Sequence, residues 1–179
     1  MIRWLLAAAL AATPVATMAQ AGHGTIAARL QRVEDQLAID RVLIDYAAFL
    51  DGRDYASYAA LFAPDGEWVN EGGTHKGRAA IRQMLESTMG PAGTPNRANY
   101  HIITNPRVDL DGDRATATSR YLFVMRGPDG QPTPSLAGIY HDELVRLDGV
   151  WKIKRRVADD IMPSPEEWRK TMAARKAAK

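Results

Sequence analysis

The period of the apolar residues changes once along this chain, and that change restricts the fold more than any single motif. Ile26, Leu30, Val33 and Leu37 fall at helical spacing, and Leu43, Tyr46 and Leu50 continue a helical face. After Asn96 the period becomes two, over residues 100–104, 107–110, 114–126, 137–147 and 150–157. Asp111-Gly112 and Asp148-Gly149 sit between consecutive strands as hairpin turns. Helices followed by a run of antiparallel strands make an α+β domain, with helices packed on one face of a curved sheet. Such a cone of helices and sheet is expected to enclose a pocket at its open end.

Local signals set the boundaries. Thr25 can cap the first helix, and Gly52 suits a left-handed residue at its end. Asp54 caps a second helix over residues 55–62, stopped by Pro64. Asp65-Gly66 turns the chain into a strand at residues 67–71, and Gly72-Gly73 and Gly77 bracket a loop before a third helix at 78–89. Residues 90–96 and 127–135 are Pro/Gly-rich loops. Ser164-Pro165-Glu166-Glu167 opens a terminal helix, with serine as cap, proline at the first position and Glu167 as capping-box partner.

The N-terminus reads as an export signal. Met1-Ile2-Arg3 is positive, residues 4–16 are apolar, and cleavage is expected after Ala19 or Ala21. The run is short for a membrane span. The expected organisation is a signal peptide at 1–21, one domain at 22–162 and a basic tail at 163–179, in a periplasmic protein without stable membrane insertion. The chain has no cysteine, which excludes disulfides, thiolate metal sites and cysteine nucleophiles. Its 23 basic and 21 acidic residues nearly balance, with no basic patch of the kind nucleic-acid binding needs. Four scattered histidines give no metal-ligand spacing, and no phosphate loop or serine nucleophile motif occurs. Neither metal nor cofactor is expected.

Asp51, at the end of the first helix, and His101, on a strand in Asn99-Tyr100-His101-Ile102, are the candidate chemical pair. A carboxylate that orients an imidazole makes it a competent general base. Spacing alone does not bring them together. Alternation sets Ala117, Ser119, Tyr121 and Phe123 on one face of their strand and Gly138, Tyr140 and Asp142 on one face of the next. Tyr46, Asn70, Tyr121 and Tyr140 are then candidate polar groups toward a ligand, with Trp68 and Phe123 as an apolar wall. His141 is expected on the opposite face, and His75 on a solvated loop.

The order of elements resembles the NTF2-like superfamily in its SnoaL-like branch, over residues 37–157. Ala38-Ile39-Asp40 through Asp51, Glu67-Trp68, Glu71-Gly72, Lys76-Gly77, Tyr100-His101, Thr104-Asn105 and the hairpin from Ala137-Gly138-Ile139-Tyr140 to Trp151-Lys152 carry the likeness. Within that superfamily the chain is similar to scytalone dehydratases and hexachlorocyclohexane dehydrochlorinases. The resemblance implies a cone of curved mixed or antiparallel sheet with three N-terminal helices, and a dyad of Asp51 and His101 at its mouth. Other expected groups differ. Leu50 and Asn70 stand where the dehydratases have tyrosines, Met125 near their second histidine, and Tyr46 where the dehydrochlorinases have a lysine; the latter's arginine falls near Arg146. The function implied is a cofactor-independent lyase or isomerase, dehydratase-like, acting on a small apolar molecule. The alternative is a non-catalytic periplasmic binding protein, in which His101 would lack a close carboxylate. Homodimers that pair through the sheet, with His141 near the contact, are expected.

Overall fold

The computed structural model describes residues 24–177; the segment read as a signal peptide lies outside them. Helix α1 (Ile26–Asp51) is capped by the Thr25 side chain, which accepts from the Ala28 N–H at 3.2 Å. It buries Ile39, Val42, Leu43, Tyr46 and Leu50. Its end departs from expectation: Gly52 is right-handed, and Arg53 takes the left-handed conformation (φ 58°) instead. The reason is tertiary. The buried Arg53 guanidinium donates to Asn99 Oδ1 at 2.8 Å, a bond that holds the residue in an otherwise costly conformation.

Helix α2 (Tyr55–Ala60) is shorter than expected, because the chain enters strand β1 (Phe62–Asn70) before Pro64. The segment read as a glycine loop contains a short edge strand, β2 (Gly73–Lys76), followed by α3 (Arg78–Met89). Strands β3 (Asn99–Asp111), β4 (Arg114–Arg126), β5 (Pro132–Leu147) and β6 (Val150–Met162) form a meander. The two pieces expected at 100–110 are one strand, kinked where Asn105 adopts φ 52°. The sheet order is β2-β1-β6-β5-β4-β3, antiparallel throughout except for β1 against β6. The sheet is therefore mixed.

Three helices precede the meander, and a fourth, α4 (Pro165–Ala177), follows it. Its start is a reciprocal capping box: Glu167 Oε2 accepts the Ser164 N–H at 2.8 Å, and Ser164 Oγ accepts the Glu167 N–H at 3.4 Å. The concave face packs on α1 and α2 through Tyr46, Tyr58, Phe62, Tyr121, Tyr140 and Ile153.

The pocket expected at the mouth is not shown: among the described residues, aromatic rings and one arginine occupy the interior. Open cavities of about 350 and 420 Å³ lie elsewhere, the first around Asn99, Tyr100 and Met125, the second around Asn105, Thr118 and Ile139.

Candidate active site

Asp51 and His101, fifty positions apart, touch. Asp51 Oδ1 lies 2.7 Å from His101 Nδ1, and Asp51 Oδ2 accepts the His101 backbone N–H at 2.7 Å. The carboxylate thus fixes both the ring and the strand that carries it. A second set of bonds fastens the end of α1 to the start of β3. Asn96 Nδ2 donates to the carbonyls of Asp51 (3.0 Å) and Asn99 (2.7 Å), beside the Arg53–Asn99 contact. Sequence reading missed Arg53, Asn96 and Asn99; the only local signal was a run of polar residues in a loop.

Register places His101 inward. It stands opposite Phe123 on β4, and their rings pack at 4.6 Å. Trp168 of α4 meets Phe123 edge-on at 6.4 Å. The His101 side chain is only 6% exposed. With Nδ1 against the carboxylate, Nε2 is the nitrogen left to exchange a proton with a ligand.

The other expected residues divide. Tyr46, Trp68, Tyr121, Phe123 and Tyr140 all face the interior. Trp68 Nε1 donates to Tyr46 Oη at 2.9 Å, Tyr46 meets Tyr140 edge-on at 5.5 Å, and Tyr121 stacks on Tyr140 at 4.3 Å. Asn70 does not join them: its side-chain oxygen accepts the Gly72 N–H at 2.9 Å and closes the β1–β2 turn. His141 faces outward as expected, 3.8 Å from Asp159, and His75 lies beside Trp68.

The arginine in the interior is Arg156, which alternation did not identify. It is fully buried, gives Asp142 two bonds of 2.6 and 2.7 Å, and lies over the rings of Tyr46 (3.9 Å) and Tyr140 (4.4 Å). Its Nη1 has no hydrogen-bond partner, and neither has the buried Tyr58 hydroxyl. Burial works against the guanidinium charge, but the Asp142 carboxylate holds its pKa above the ordinary value. Arg146, near which the dehydrochlorinase arginine falls, binds Asp35 on α1 through two bonds of 2.7 and 3.0 Å.

A further hydrogen-bonded pair joins β4 to β6. The Tyr121 hydroxyl donates to Asp160 on β6, reaching across β5 where Gly138 leaves room. Burial raises the pKa values of both groups. Among the described residues no three histidines or acids cluster as metal ligands would. No described helix is long and apolar enough to cross a membrane.

A SnoaL-like domain model matches residues 31–157, and the chain belongs to that family. Gamma-hexachlorocyclohexane dehydrochlorinase of Sphingobium indicum is 28% identical over 131 residues, covering 72% of this chain and 82% of that protein. A scytalone dehydratase-like protein of Novosphingobium aromaticivorans is 31% identical, with TM-score 0.62 over 73% of this chain and 87% of the other. An NTF2-like protein with a cystatin-like fold from the same organism is 25% identical, with TM-score 0.71 over 79% and 91%. The family therefore includes lyases among this chain's relatives.

Proposed function

We propose that this SnoaL-like chain is a cofactor-independent lyase of the dehydratase kind, acting on a small, largely apolar molecule with a hydroxyl leaving group. The observation that carries the reading is the pair of hydrogen bonds joining the Asp51 carboxylate to the His101 ring and backbone. Nε2 of His101 takes a proton from carbon, and the C–H electrons form the new double bond. The neighbouring C–O bond breaks with its electron pair going to oxygen, and the hydroxide leaves as water with the proton that Nε2 took. Asp51 holds the ring and balances the charge that the ring acquires.

Arg156, fully buried over Tyr46 and Tyr140, braces the aromatic interior rather than meeting the substrate. Elimination is also the reaction named by the dehydrochlorinase and dehydratase relatives. Loss of water is favoured over loss of chloride because Tyr46 replaces the lysine that the dehydrochlorinase resemblance implies. With the interior filled, the substrate enters where Trp168 covers Phe123 beside His101.

A binding protein without chemistry is the competing reading, and it called for His101 to stand apart from any carboxylate. A separation of 2.7 Å does not favour it. The test is a screen of hydroxylated ketones and aromatic compounds for thermal stabilisation, followed by turnover of each hit. His101→Ala should keep binding and lose about 10²-fold or more in kcat. Full turnover by that variant ends the proposal. N-terminal sequencing of protein recovered from the periplasm tests export through residues 1–21.

A further inference from the structure

Helix α1 is apolar on two opposite sides. One side is the core face already described. The other carries Ile26, Leu30, Val33, Leu37 and Ile44, which are 82, 55, 55, 63 and 61% exposed. Their spacing is four, three, four and seven, the seam of a coiled coil, with Asp40 in the one seam position that is not apolar. The first part of the helix also has no support from the domain. Residues 24–34 are exposed throughout, and the first buried side chain is Asp35, bound to Arg146 and Trp151. More than two turns of helix therefore project from the body. A projecting helix of that length is marginal in water without a partner.

We infer that this seam is where two copies of the chain pair, α1 against α1 and antiparallel. Three observations select that occupant. The spacing fits another helix rather than a strand or a flat surface. Asp40 selects the direction: a parallel pair would set Asp40 against its own copy, two like charges in an apolar seam. An antiparallel pair centred near Asp35 sets Asp40 across from the second copy's Leu30, where the neighbouring Arg29 can meet the carboxylate. The third is area. Five such side chains expose on the order of 500 Å² per copy, so a pair buries about 1,000 Å², the size at which specific interfaces begin. The core face of α1 points the other way, so pairing leaves the domain's packing untouched.

Light scattering over a concentration series should find a dimer that Leu30→Glu with Leu37→Glu converts to a monomer, with an unchanged circular dichroism spectrum. Asp40→Leu should tighten the dimer by about tenfold or more, as expected for replacing a charge in an apolar seam. The chain has no cysteine, which allows a clean test of direction. Val33→Cys and Leu37→Cys should cross-link under oxidation only when the two variants are mixed. Cross-linking of either variant alone means parallel pairing and overturns the inference. A monomeric wild-type chain overturns it too. So does a dimer that survives the glutamates, which places the contact on another surface such as the outer face of the sheet. If deleting residues 1–23 creates the dimer, those residues are the occupant and the inference fails.

Discussion

One carboxyl group of Asp51 binds both the imidazole Nδ1 and the backbone N–H of His101, each at 2.7 Å. The end of α1 and the start of β3 therefore cannot shift independently without breaking a charge-assisted bond. Rigid presentation of Nε2 is the consequence.

Asp51→Asn should separate geometry from charge. The amide can still accept the backbone N–H but cannot balance a protonated ring. We expect kcat to fall by about 10²–10⁴-fold, with KM and folding little changed. Steady-state kinetics beside thermal melting checks both halves; an unchanged kcat would remove Asp51 from the mechanism.

Asp35 should make stability depend on pH. Burial raises its pKa, but the bonds from Trp151, Gln31 and Arg146 outweigh burial and hold it below the ordinary carboxylate value. A depressed folded-state value contributes stability above the unfolded value, and the contribution is lost as pH falls through the folded one. Asp35→Asn should cost about 1.5–3 kcal/mol at neutral pH, as for hydrogen bonds to a charged group. The gap between wild type and variant in urea denaturation should close on acidification. A gap that is constant with pH refutes the assignment.

The Asp142–Arg156 pair is fully buried on both sides. Asp142→Asn leaves a guanidinium without its counter-charge, and a loss of about 3–5 kcal/mol is expected. Replacing both partners with apolar residues of similar volume should recover much of that stability. Equal destabilisation by the single and double replacements would contradict this account.

Gly138 lets Tyr121 cross β5. A Cβ there would sit 2.6 Å from Tyr121 Cζ, and closer still to the Tyr121 hydroxyl and the Asp159 carbonyl. Gly138→Ala should therefore cost about 1–3 kcal/mol by overpacking, and break the Tyr121–Asp160 bond. Tyr121→Phe should remove the same bond without the clash, so a smaller drop in melting temperature is expected. If the two variants melt alike, the clash is not the cause.

Much of the architecture was legible because local chemistry wrote it. The capping box at Ser164 and Glu167 formed as read, and the Asp148-Gly149 turn has both residues at positive φ, as a tight hairpin requires. Strict alternation placed Ser119, Tyr121, Phe123, Tyr140 and Asp142 on the inner face, where they are all buried. Asp51 and His101 were legible as residue types, and the family resemblance paired them. Their separation became a quantity only in the folded chain.

On β6 the same alternation fails at one residue. Trp151 and Ile153 face inward, and a continuous period of two would send Arg155 in and Arg156 out. Lys154 is an extra residue between the pairs Leu144–Ile153 and Glu143–Arg155, and this bulge reverses the parity. Arg156 consequently lies in the interior beside Asp142. Sequence by itself determined most of the elements, their N-terminal caps and the faces of β4 and β5, because those depend on near neighbours. The filled interior, the left-handed Arg53, the inward Arg156 and the Asp51–His101 contact were decided by the tertiary structure. Each depends on register between strands, or on side chains that meet only when the sheet has curved around α1.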